Sequence, residues 1–197
     1  MSQRHGIQHG MFHVTTNTFE RIPWCTIKEI PEMIIDNLVM TRNIQKAKLF
    51  AFCILPDHLH IIINTGEKGL SSFMHSFKRN TMRDIRQLLP GNEMFPDTVA
   101  EVRNFRGSEE YYISGKPRNR GRYGSSAAIE GGLIETKARW QRSFYDERIR
   151  SLAQCSSTIG YVQGNAMKHG LTNDLLSWPW TSLRFPELLD PMEIWLN

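Results

Sequence analysis

Ile54-Leu55-Pro56-Asp57-His58-Leu59-His60-Ile61-Ile62-Ile63 decides how this chain is read. A second apolar run, Lys48 to Leu55, ends where Pro56-Asp57 begins. Two strand-like runs joined by Pro-Asp turn chemistry predict a β-hairpin. Side chains alternate faces along a strand, so His58, His60 and Ile62 point one way and Leu59, Ile61 and Ile63 the other. Both imidazoles then leave the same side of the sheet, with Cα atoms roughly 7 Å apart, two rises of about 3.3 Å. That arrangement suits two ligands converging on one divalent metal. Two polar residues at a strand end would look the same, so the pair alone does not decide.

Upstream, Met11 to Phe19 is rich in β-branched and aromatic residues and reads as a strand. Its His13 is expected beside the sheet rather than at a metal. Thr26-Ile27-Lys28-Glu29 has capping-box spacing, and Pro31 suits a first helical turn. Ile30, Ile34 and Leu38 follow at helical spacing, which predicts a helix over 30–43. Downstream, Leu70, Met74, Phe77, Ile85 and Leu88 form the apolar side of a second helix, ending before Pro90-Gly91. Its other side carries His75, Arg79, Arg83 and Arg86. Such a stripe is either a solvated helix face or a set of phosphate contacts.

Periodicity is poor over 91–135, where Gly115 to Gly124 alternates basic residues with turn formers. This stretch reads either as a plain disordered insert or as a loop that orders on nucleic acid, its arginines on phosphates and Tyr123 on a base. A further strand with basic flanks is predicted within Lys137–Arg150, and a last long helix over 152–169. Gly170 sits where a C-cap belongs. The tail, with Trp178-Pro179-Trp180, Pro186 and Pro191, is expected to wrap over the core.

That last helix carries a tyrosine out of place. At 100° per residue, Leu152, Cys155, Ile159, Val162 and Ala166 share one stripe, the expected buried face. Tyr161 and Asn165 fall roughly opposite, four residues apart and so stacked on the helix surface. Gly160 and Gly164 flank them, each costing about 1 kcal/mol relative to alanine. Close approach of another backbone or of DNA, or a need for the helix to move, would offset that cost.

The bulk properties agree with a soluble, intracellular, nucleic-acid-facing protein. At 197 residues the chain is expected to be one domain, 40% hydrophobic and 22% charged, with a formal charge of +4. Val102–Arg150 holds eleven Lys/Arg against six Asp/Glu, whereas Leu171–Asn197 holds one against four. The basic character therefore precedes the last helix and points to a polyanionic partner. Cys25, Cys53 and Cys155 form no C-x-x-C, which fits a reducing cytoplasm. No signal peptide and no apolar run of membrane-spanning length is read.

Two histidines and an amide oxygen can hold a divalent cation, basic side chains can hold phosphates, and a tyrosine hydroxyl can attack phosphorus. A free phenol is a weak nucleophile at neutral pH, and a metal on the scissile phosphate assists it. A phosphotyrosine conserves the bond energy, so strands can be cut and rejoined without ATP; no P-loop is present. A metal-dependent hydrolase of small substrates would use the histidines but leave Tyr161 and the basic stripes idle.

At this point the chain resembles the single-tyrosine HUH transposases, and most closely the REP-associated tyrosine transposases. The family's LPNHLHLL-type motif matches Leu55 to Ile62, with Leu59 as the bulky central residue. SFK matches Ser76-Phe77-Lys78, and WQRSFYDHxIR matches Trp140 to Arg150, with Glu147 in place of the histidine. YIxxNPVKHGL matches Tyr161 to Leu171, with Ala166 in place of the proline, and DWPWSS matches Ser177 to Ser182. Loss of that proline is expected to let the tyrosine helix run on more regularly.

The resemblance implies an α+β fold, an antiparallel sheet with helices packed on it in a ferredoxin/RRM-like layout. It implies Tyr161 as nucleophile, His58, His60 and Asn165 as ligands of Mg²⁺ or Mn²⁺, and a 5′-phosphotyrosine left on single-stranded DNA near a hairpin. Expected DNA contacts are Lys78, Arg79, Arg83, Arg118, Arg120, Arg122 and Arg142. The single domain, 1–197, would carry a basic Gly/Arg-rich insertion at 91–135 and act as a monomer or homodimer in the cytoplasm, at the nucleoid. The alternative is a domesticated relative that binds hairpin nucleic acid without turnover.

Overall fold

The structure is a computed structural model that describes residues 7–27, 29–88 and 138–192. The basic stretch at 91–135, with Arg118, Arg120 and Arg122, lies outside the described residues. The elements are β1 (Met11–Asn17), α1 (Ile30–Gln45), β2 (Lys48–Leu55), β3 (His58–Asn64), α2 (Gly69–Leu88), β4 (Tyr145–Ile149), α3 (Leu152–Gln163) and α4 (Asn165–Lys168). The strands form one sheet in the order β2-β3-β1-β4, every pair antiparallel. This is the expected α+β architecture.

Alternation sorts the core into two layers. Phe12, Val14, Leu59, Ile61 and Ile63 face α1 and α2, joined there by Leu70, Phe73, Met74 and Phe77. Met11, Cys53, Leu55 and Ile62 face the other way, against Cys155 and Val162 of α3, Ala166 of α4 and Trp178. A bulge between Leu49 and Ala51 shifts the β2 register, so that Leu49, Phe52 and Ile54 join the first layer and Ala51, Cys53 and Leu55 the second. His58 and His60 share a face with Ile62 and thus lie on the α3 side, as the alternation predicted.

β2 is an edge strand, and the tail covers it. Ile54 N–H donates to Trp180 O, and Trp178 Nε1 donates to Ile54 O at 2.9 Å. Further along, Leu49 N–H donates to Asp190 Oδ2 at 2.9 Å, and Asp190 N–H donates back to Leu49 O at 2.8 Å. Asp190 also pairs with Arg42 and Lys48. The wrapping tail was legible in its Trp-Pro-Trp; its pairing with β2 was not.

Local expectations fail where tertiary packing takes over. The capping box at Thr26 does not form: α1 starts at Ile30, its N-cap Glu29 is left-handed (φ 70°), and no side chain caps it. Buried Trp24 and Ile30 anchor the chain on either side of that turn, so burial sets the entry angle. The strand predicted over 137–150 is regular only from Tyr145 to Ile149. Ahead of it, Trp140 bridges to Thr18 and packs edge-on against Trp24, ring centroids 4.6 Å apart.

Lys78 holds that segment in place. Its Nζ donates to the carbonyls of Gln141 (2.9 Å) and Ser143 (2.8 Å), and burial pushes its pKa down to about 8. Lys78→Met is expected to destabilise the fold by about 1–3 kcal/mol, because two carbonyls lose their donor. Urea unfolding checks this; an unchanged midpoint with weakened DNA binding would return Lys78 to the role of a phosphate contact.

Candidate active site

The Pro56-Asp57 turn is pinned from outside the hairpin. Thr18 N–H donates to Asp57 O, Cys25 N–H donates to Pro56 O, and Arg21 Nη1 lies 3.1 Å from Asp57 Oδ2. Burial pushes the Asp57 carboxyl up, but its bond to His58 and the charges of His58 and Arg21 outweigh that and hold it low. The carboxylate engages His58 through Nδ1, with Oδ1 at 2.5 Å. With Nδ1 taken, His58 has its Nε2 left for a ligand role, the carboxylate–histidine pattern of metal sites.

His60 is held in the same sense by β1. Its Nδ1 lies 2.9 Å from Thr15 Oγ1 and 3.1 Å from His13 Nε2. The His58 and His60 rings meet edge to face, centroids 5.0 Å apart. Burial, then the nearby positive charges of His58, His13, His169 and Lys168, pushes the pKa of His60 down to about 2. Burial also lowers His13, against the pull of Glu147, and lowers His169.

A pH dependence follows. Between about pH 2 and 6.5 the unfolded chain protonates His60 and the native chain does not, so stability falls as pH drops below 6.5. At pH 5, His60 by itself removes on the order of 2 kcal/mol, with His13 and His169 adding in the same direction. Urea unfolding in EDTA at pH 7.5 and pH 5 measures it, and equal stabilities would contradict it.

Tyr161 reaches this cluster from α3. It is 42% exposed, its ring edge-on to His60 (5.7 Å) and to His13 (5.8 Å). Its Oη accepts from Lys168 Nζ at 3.3 Å, and the same ammonium lies 4.5 Å from its ring centroid. The rings of His169 and His58 meet edge to face, with centroids 5.0 Å apart. Lys168 and His169 stand in the last turn before Gly170, where basic residues suit a helix end. Their spacing of seven and eight residues from Tyr161, two helical turns, was the signal that could have found them.

Asn165 corrects the helical projection. It does not share the exposed face of Tyr161 but is wholly buried, and neither its Oδ1 nor its Nδ2 has a hydrogen-bond partner among the described residues. The uniform 100° step fails because α3 ends at Gln163 and Gly164 (φ −84°, ψ 4°) separates it from α4. The helix is thus interrupted without the family's proline, contrary to the regular course expected of Ala166. A Cβ on Gly164 would stand 3.1 Å from Gly160 O, so a bare glycine suits the break. Leu152, assigned to the buried stripe, is exposed, and Ile159 is only half-buried. The C-cap at Gly170 is as predicted: φ is +68°, and Leu171 N–H closes back on Ala166 O.

The donor set fits a divalent cation. Two imidazoles with Nδ1 engaged and a buried amide oxygen without a partner are what a nitrogen- and oxygen-binding ion requires. Among the described residues, no group of three or more His, Cys, Asp and Glu stands ready to hold a metal, and the Asn165 amide is a buried oxygen donor without a partner there. The basic residues are less well gathered. α2 lies on the opposite face of the sheet from the histidines, which leaves Arg79 and Arg83 exposed away from the site, Arg83 paired with Asp84. Lys78 is engaged with carbonyls, and Arg142 is exposed in the segment leading to β4. His13, expected beside the sheet rather than at a metal, touches both His60 and Tyr161.

Comparison with known proteins bears on this geometry. Residues 7–97 match the family model described as Transposase IS200 like. The resemblance to the single-tyrosine HUH transposases drawn from the sequence is borne out. Among REP-associated tyrosine transposases, a Haemophilus influenzae protein provisionally given that name is 23% identical over 138 residues, 67% of this chain and 56% of its own length. The chain thus spans little more than half of that relative. A solved structure described as a REP-associated tyrosine transposase bound to a REP hairpin superposes with a TM-score of 0.60 at 17% identity, covering 97% of this chain and 88% of the other. That likeness establishes the shared fold. Among the described residues, no helix is long and apolar enough to cross a membrane.

Proposed function

We propose that this chain cuts and rejoins single-stranded DNA through a covalent 5′-phosphotyrosine on Tyr161. The observation that carries this is the half-exposed Tyr161 ring set edge-on against the buried His60, whose Nδ1 is already engaged. Tyr161 Oη gives its proton to water and attacks the phosphorus; the Oη–P bond forms, the P–O3′ bond breaks, and O3′ takes a proton from water and leaves as a hydroxyl. A 3′-hydroxyl attacking the phosphotyrosine reverses the step and joins strands. His58 Nε2, His60 Nε2 and Asn165 Oδ1 would hold Mg²⁺ or Mn²⁺. When bound, that ion withdraws charge from the scissile phosphate and orients it for in-line displacement. Lys168 beside Oη offsets the charge on the attacking oxygen. The hairpin bound by the structural relative supports a folded single strand as the partner, met in the cytoplasm at the nucleoid.

The test is to incubate the protein with Mg²⁺ or Mn²⁺ and a panel of hairpin-flanked single-stranded oligonucleotides. A DNA adduct that survives denaturation, formed only with metal, is expected. Tight hairpin binding with no adduct in either metal would favour a binding protein without turnover.

A further inference from the structure

The contacts of His60 raise a question of tautomers. Neutral imidazole carries one proton. If it sits on Nε2, the ring offers an N–H where a cation has to bind. If it sits on Nδ1, Nε2 presents its lone pair. Which form prevails depends on what surrounds Nδ1. Two groups of β1 do, Thr15 Oγ1 at 2.9 Å and His13 Nε2 at 3.1 Å. A hydroxyl can donate or accept and does not choose. His13 does choose: as an acceptor through Nε2 it draws the His60 proton to Nδ1, and as a donor it drives that proton to Nε2.

Two contacts fix the place of the His13 ring, and a third observation favours it as an acceptor. The rings of His13 and His60 meet edge to edge through these nitrogens, with centroids 5.2 Å apart and planes 24° apart. Glu147, which accepts from Gln154 Nε2 through Oε1, is the cross-strand neighbour of His13 on β4, the strand across β1 from His60, and its negative charge favours a proton on that side of the His13 ring. The edge contact of His13 with Tyr161, at 5.8 Å, joins the same ring to the proposed nucleophile. Glu147 is also the position at which this chain departs from the histidine of its family's motif.

We infer that His13 is a positioning residue that holds His60 in the Nδ1–H form, with its Nε2 lone pair free for the cation, and that Thr15 shares the same proton. This rests on reading His60 as a ligand. It assigns no bond-making role to His13, which acts through His60 alone.

Two variants separate position from packing. His13→Phe keeps an aromatic ring in place and removes the acceptor, while His13→Gln restores an acceptor of similar reach. The first measurement is ¹⁵N NMR of the metal-free, full-length protein, with His60 assigned by comparison with His60→Ala. In the wild type the His60 proton is expected on Nδ1, in His13→Phe a mixture of tautomers, and in His13→Gln a return toward Nδ1–H. A wild-type proton on Nε2, or no change in His13→Phe, would overturn the inference. The second is Mn²⁺ affinity without DNA, read by electron paramagnetic resonance. His13→Phe is expected to weaken it about 10–100-fold, the usual effect of losing such a partner, with His13→Gln recovering most of it. Equal affinity in His13→Phe and wild type would also overturn it. If His60→Ala binds Mn²⁺ as well as wild type, the ligand assignment of His60 fails instead, and the NMR still decides the tautomer.

Discussion

Tyr161→Phe is expected to abolish the covalent DNA adduct while leaving hairpin binding and folding almost untouched. Phenylalanine has no oxygen to bond to phosphorus, so the loss should exceed about 10³-fold and reach the limit of detection. The ring itself is retained, and with it the edge contacts to His13 and His60. The only described hydrogen bond lost is the exposed one from Lys168, so stability should stay within about 0.5 kcal/mol. Adduct assays beside gel-shift titrations and a thermal melt measure the three quantities together. An adduct formed by Tyr161→Phe as well as by wild type would remove Tyr161 from the chemistry.

Asn165→Leu should move stability and activity in opposite directions. Both polar atoms of Asn165 are buried without a partner among the described residues, and a buried amide left so costs on the order of 1–3 kcal/mol. Leucine is close to asparagine in shape, so it removes that cost with little change of packing. In EDTA the variant is therefore expected to be more stable than wild type by about that amount. Mn²⁺ affinity and metal-dependent cleavage are expected to fall at least about 100-fold, since losing a ligand exceeds the 10–100-fold usual for the groups behind one. Such a trade is what a residue kept for function shows. Lower stability with unchanged metal binding would make Asn165 structural.

Much of the fold was legible because its signals are local. Alternation placed the two histidines on one face, Pro-Asp marked the turn between β2 and β3, and apolar spacing located α1, α2 and α3. The readings that failed assumed that a local rule continued unbroken. Helical projection put Asn165 beside Tyr161 on the surface, but the break at Gly164 turns it inward. The arginines of α2 follow the histidine hairpin in sequence, yet the helix crosses to the other face of the sheet. His13 looked peripheral because its contact to His60 spans 47 residues of sequence and depends on strand order.

By itself the sequence determined which side chains could do chemistry: His58, His60, Tyr161 and Asn165 were all named from spacing and resemblance. It also determined that His58, His60 and Ile62 share one face of their strand and Leu59, Ile61 and Ile63 the other, since a period of two is imposed by the strand's own backbone. Only the tertiary structure decided what surrounds those side chains. Pairing β1 between β3 and β4 brings Thr15 and His13 to one nitrogen of His60 and sets Glu147 opposite His13. Strand order and register arise from burial of two faces at once and are long-range properties of the chain, so no spacing rule within a single stretch contains them.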